Sequence, residues 1–168
     1  YATYIKHRLN GFDGDSPRRT PKDLEEYPAF SKRASSSGGV PTYSRPQCVG
    51  PISVKDLKPL EVDLQNLKEA LSVSEATDAF MNAASPGVIA QFQPNQHYPD
   101  HSSYLYALAD AMKVEYEGIA EAGLVIQIDS PDLALGRHVL FKDQSDEEFV
   151  AMAELHIEAL NHALQNIP

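Results

Sequence analysis

The sequence predicts an α/β fold, part of a (β/α)8 barrel of about three βα units, on three observations. Strand-like and helical patterns alternate from residue 48 to the end of the 168-residue chain. The clearest strand, 124–129 (LVIQID), is an apolar run closed by an acid, the form of a parallel strand covered on both faces. Neither GxGxxG nor GxxxxGK[ST] follows any strand, which removes the main support for a dinucleotide-binding or P-loop fold.

Residues 1–9 (YATYIKHRL) read as helix, and 1–12 are expected to be the end of a barrel helix. Residues 13–47 break the pattern with Gly14, Pro17, Pro21, Pro28, the Ser/Gly run 35–39, Pro41 and Pro46. Their apolar residues keep no period, and the stretch is expected to be a loop, or a lid beside the barrel mouth.

Residues 48–168 are expected to hold the three βα units. A short strand at 48–53 comes first. A helix follows, with Pro59 in its first turn and Leu60, Leu64, Leu67 and Leu71 on one face. The second strand, 78–84 (DAFMNAA), ends in Ser85-Pro86-Gly87. After a polar, aromatic connection at 91–100, Leu105, Leu108, Met112, Tyr116 and Ile119 repeat at helical spacing, and Gly123 supplies the stop. Strand 124–129 and a loop precede the capping box Ser145…Glu148, which opens a helix with Phe149, Met152, His156, Leu160 and Ala163 inward. A complete barrel chain needs about 250 residues, so these three units are expected to be an internal piece of one.

Composition narrows the function classes. A net charge of −10 lacks the clustered Lys and Arg that nucleic acid requires. No run approaches the roughly 18 apolar residues of a membrane helix. No basic, then apolar, leader opens the chain. A single cysteine, Cys48, excludes an internal disulfide framework and suits a cytoplasmic, reducing compartment, where it reads as a small buried hydrophobe.

Asp129 is the strongest candidate for chemistry. A carboxylate at the C-terminal end of a buried parallel strand faces the mouth where such folds bind ligands, and Pro131 limits the conformations of Ser130. A second reading stays open, in which Asp129 caps the following turn. The six histidines show no ligand spacing: Tyr98-Pro99-Asp100 separates His97 from His101, His156 and His162 lie on different helix faces, and His138 sits in the loop after the last strand.

The segment VIQIDSPDLA resembles the IDEPAL strand of cobalamin-independent methionine synthases, and more closely their single-barrel, type II relatives. RPQCVGPISVKD resembles a preceding strand, NAASPGVIAQFQPNQHYP the next strand and loop, and YLYALADAMKVEYEGIAEAG and ELHIEALNHAL the intervening helices. By this resemblance the chain spans barrel strands three to five. The rest of the barrel comes from the same or another chain. The implied reaction is methyl transfer from a methyl donor to a zinc-bound small-molecule thiolate, as in homocysteine methylation for methionine biosynthesis.

The zinc ligands of that family fall outside this chain, so neither a metal ligand nor a catalytic residue is expected within it. Asp129 matches the aspartate that holds the homocysteine amino group. Ser130 replaces the family's glutamate and Asp132 its alanine. Phe92 falls where a tryptophan stacks on the pterin of the methyl donor, although it could equally pack beneath the loop. With Ser85 at the end of the second strand, the substrate-binding candidates are Asp129, Ser130, Asp132, Phe92 and Ser85. Two other outcomes are compatible with these departures. One is a related alkyl-thiol transferase or decarboxylase-like enzyme on the same fold, and the other is a non-catalytic barrel piece that needs a partner chain.

Overall fold

The computed structural model describes residues 2–17, 21–36 and 45–168. Among them the chain runs α1 (Ala2–Arg8), β1 (Leu9–Asp13), α2 (Lys22–Glu26), α3 (Pro28–Ser36), β2 (Gln47–Val54) and α4 (Lys58–Ser72). It continues through β3 (Phe80–Ala84), α5 (Pro86–Phe92), α6 (His101–Glu121), β4 (Val125–Asp129), α7 (Asp132–Val139) and α8 (Asp146–Leu164).

The parallel sheet has two strands rather than three. β3 and β4 pair in parallel from Phe80↔Val125 to Ala84↔Asp129. β2, expected as the first parallel strand, instead pairs antiparallel with β1. Its partner begins inside residues 1–12, read from sequence as helix alone, and ends at Asp13, the first residue of the stretch expected as loop. Five residues are too few for a period-2 signal to stand out there, and a bulge between Asn10 and Phe12 interrupts the alternation. Gly11 makes the hairpin possible: its φ is +92°, and a Cβ would lie 2.7 Å from the Gly50 carbonyl oxygen and 2.8 Å from that of Pro51. A single parallel bridge, Cys48↔Asn95, ties β2 to the connection after α5.

Three stretches expected as loops contain helices. Residues 13–47 hold α2 and α3, with 18–20 and 37–44 outside the described residues. The connection after β3 begins as α5, where Ser85 Oγ accepts from the Val88 N–H and Pro86 occupies the first turn. α7 follows β4 after Ser130 and Pro131. All three segments are too short for an apolar period to emerge above their Pro and Gly content.

The long helices follow their patterns. α6 starts at Asp100, whose side chain accepts from the Ser103 N–H, and it buries Leu105, Leu108, Met112, Tyr116 and Ile119 along one stripe. Each of these removes enough apolar surface to contribute about 2 kcal/mol. Both halves of the Ser145/Glu148 capping box are present at the start of α8. α8 lies against α6, with Ala159 and Ala163 fully buried. No helix among the described residues is long and apolar enough to cross a membrane.

Candidate functional site

Alternation along the two parallel strands divides the sheet chemically. Met81, Ala83, Ile126 and Ile128 join the core under the helices. The opposite face carries Phe80, Asn82, Val125, Gln127 and Asp129, and there Phe80 and Val125 are 59% and 55% exposed. Asp129 is the last residue of β4 on this open face, and it is half-buried. Two neighbouring amides orient its carboxylate: Gln127 Nε2 donates to Oδ1 at 3.0 Å and Asn82 Nδ2 donates to Oδ2 at 3.3 Å. A carboxylate held through both oxygens retains further acceptor sites for a cationic ligand.

Ser85 and Asp132 were expected beside Asp129 as substrate contacts, and burial corrects this. Each is 2% exposed, and they bond to one another, Ser85 Oγ donating to Asp132 Oδ1 at 2.9 Å. The other Asp132 oxygen accepts from His156 Nδ1 at 2.8 Å. His156, 3% exposed, faces His101 across 2.9 Å between their Nε2 atoms. The carboxylate only accepts, so His156 donates from Nδ1, and the direction of the Nε2···Nε2 bond between His101 and His156 follows the tautomers of the two rings. Burial, followed by the nearby His156, lowers the pKa of His101 to about 4.

Ser130 is half-buried at the strand exit, where its carbonyl accepts from the Leu133 N–H. Phe92 closes α5 half-buried and packs against the core cluster, the arrangement of a ring beneath a loop. His138 lies on α7, 3.7 Å from Asp23 of α2. Cys48 is fully buried with its Sγ–H directed at the Gly50 carbonyl, and desolvation pushes its thiol pKa up.

Sequence reasoning missed a second polar cluster. Arg8 of α1, 8% exposed, donates to Glu115 of α6 at 2.8 Å and also to Asp63 of α4, and its guanidinium lies over the Tyr4 ring. Burial lowers the Arg8 pKa and pushes that of Glu115 up to about 8. These residues line a cleft of about 340 Å³ beside β3 that reaches Asn82 and Ala84. Their separations in sequence, 55 and 107 residues from Arg8, leave no local signal. Asn82 and Gln127 were legible in principle, since each shares the strand parity of Asp129.

No group of three or more His, Cys, Asp and Glu side chains among the described residues converges as a metal site. These residues therefore do not supply the donor set that zinc chemistry needs.

No protein-family model and no curated protein matches the sequence. Among solved structures, the chain is similar to a B12-independent methionine synthase from Shewanella sp. W3-18-1, determined in complex with selenomethionine. The TM-score is 0.65 at 19% sequence identity, and the match covers 98% of this chain and 39% of the enzyme. At that identity the likeness establishes the fold, a mixed α/β arrangement related to part of a TIM-barrel enzyme, and the chain spans 39% of its relative's length.

Proposed function

We propose that this chain is part of a methyltransferase of the methionine-synthase type, in which Asp129 holds the ammonium group of a thiol amino acid. One observation carries the reading. Asp129 ends β4 on the open face of a parallel sheet, held by Asn82 and Gln127, where barrels of this kind place substrate. The likeness to the methionine synthase supports the choice of enzyme class. An ionised carboxylate attracts an ammonium strongly where surrounding protein excludes water. Ser130, next in sequence, stands at the same strand exit and offers a hydroxyl to the substrate, while Phe92 is assigned to packing. The chemistry of zinc, activation of the thiol for methyl transfer, is assigned to residues outside this chain.

Calorimetric titration of L-homocysteine into the full-length protein tests the reading. Asp129→Asn is expected to weaken binding on the order of 10- to 100-fold, the size of a lost charge-assisted hydrogen bond. Unchanged affinity would refute the assignment.

A second reading is favoured by Ser130 and by the burial of Asp132. With Asp132 enclosed, no acid on the open face replaces the one that the methionine-synthase motif carries beside Asp129. That substitution suits a related alkyl-thiol transferase. Wild-type protein that accepts other thiols in preference to homocysteine would select it.

A further inference from the structure

We propose that Ser85, Asp132, His156 and His101 form a positioning relay that locks the ends of β3 and β4 together and so sets where Asp129 presents its carboxylate. The inference rests on the reading of Asp129 as the amine-binding group.

The relay is continuous. It begins at the last rung of the parallel sheet, where the Ser85 N–H donates to the Asp129 carbonyl at 3.0 Å. Ser85 Oγ accepts from the Val88 N–H, which starts α5, and donates to Asp132, the first residue of α7. Asp132 accepts from His156 on α8, and His156 is hydrogen-bonded to His101 at the start of α6. Four helices are thereby tied to the two strand ends through side chains, three of which are at most 3% exposed. Phe141 packs edge-on against both imidazoles, with centroids 6.1 Å and 6.0 Å away, and so limits their rotation.

Gly87 shows how tightly the relay is seated. A Cβ there would lie 2.1 Å from Asp132 Oδ2 and 2.4 Å from His156 Nδ1. The backbone of α5 therefore passes directly over the Asp132–His156 bond. The dependence of Asp129 on the relay runs through the Ser85 rung and the two-residue link Ser130-Pro131 to Asp132. A displacement of the order of 1 Å at a positioned group costs about 100-fold in reaction rate, and the same shift lengthens the hydrogen bond that Asp129 accepts from the ammonium.

The test uses the full-length protein. His156→Leu severs the relay, and His156→Asn restores a donor near the Nδ1 position. L-homocysteine is expected to bind His156→Asn within about threefold of wild type, and His156→Leu on the order of 10- to 100-fold more weakly. Equal affinity for wild type and a folded His156→Leu overturns the relay and leaves the Asp129 reading standing. If instead Asp129→Asn binds as wild type does, that reading fails. The relay is then decided by hydrogen exchange at the Ser85 amide: protection lost in His156→Leu and kept in His156→Asn supports it, and unchanged protection refutes it. Should His156→Leu not fold, Asp132→Asn provides the second arm. Its amide has one acceptor oxygen in place of two, so it cannot accept from both Ser85 and His156, and protection of the Ser85 amide is expected to fall. Protection as in wild type overturns the relay.

Discussion

Replacing Gly87 by alanine adds one methyl group at the most crowded point of the relay. The new Cβ would fall 2.1 Å from Asp132 Oδ2, 2.4 Å from His156 Nδ1 and 2.7 Å from Asp132 Cγ. No side-chain rotation relieves this, because Asp132 and His156 are enclosed and bonded to each other. Either α5 shifts or the pair separates. Overpacking of this kind costs about 1–3 kcal/mol, and a weakened hydrogen bond to a charged group costs about 1.5–3 kcal/mol. Alanine in a helix returns about 0.5–1 kcal/mol relative to glycine. Gly87 does not occupy the left-handed region, so no backbone strain enters the sum. The expected net loss is about 3 kcal/mol in urea unfolding. In an Asp132→Ser background the same change is expected to cost less by about 1–2 kcal/mol, because the Asp132 Oδ2 clash is gone and only the contact with His156 Nδ1 remains. Gly136→Ala is the control: its Cβ meets the Gln91 amide oxygen at 3.3 Å and the Phe141 and Phe149 rings at 3.5 Å, near ordinary contact, and is expected to cost under about 1 kcal/mol. A Gly87→Ala protein as stable as wild type would refute the close seating of α5 on the relay.

Three further outcomes follow from the same geometry. Above about pH 8, where Glu115 is ionised, Arg8→Ala leaves it buried without its cation and is expected to cost about 3–5 kcal/mol, whereas the double change Arg8→Met/Glu115→Leu is expected within about 1 kcal/mol of wild type. A double-mutant cycle in denaturant checks this, and additive losses would contradict the pairing. His101 is held near pKa 4 in the fold, so on acidification the unfolded chain takes up the proton first, near the ordinary value of about 6.5. Stability is therefore expected to fall from about pH 6.5 to pH 4 and then level. After allowance for solvent at this half-buried ring, the loss is on the order of 1–2 kcal/mol. His101→Gln should flatten that segment of the pH–stability curve. Tyr116→Phe removes the hydroxyl that donates to the Ala84 carbonyl at 2.6 Å, and is expected to cost about 1–3 kcal/mol by thermal or urea melting, with no change in homocysteine affinity.

Much of the fold was legible because periodicity and capping are local. The stripes of α4, α6 and α8 and the Ser145/Glu148 box each follow from residues three or four apart, whose effect does not depend on distant partners. β4 was recognisable from its unbroken apolar run, although the expected cover on both faces is not met: one face carries the exposed Val125 and Gln127. β1, α5 and α7 were not, since each spans five to eight residues and draws its stability from contacts made elsewhere. β2 was placed as a strand but in the wrong sheet, because its partner is chosen by the close approach of Gly11 to Gly50 and Pro51. The candidate site divides in the same way. By itself the sequence determined that Asp129 ends a strand of a parallel sheet, since composition and order within six residues suffice for that. Only the tertiary structure decided that Ser85 and Asp132 turn inward to His156 and His101, while Asn82 and Gln127 take the carboxylate of Asp129. These partnerships join residues 24 to 55 positions apart, apart from Gln127 on the same strand. Hydrogen bonds across such separations depend on how helices and strands pack together, which no local pattern encodes.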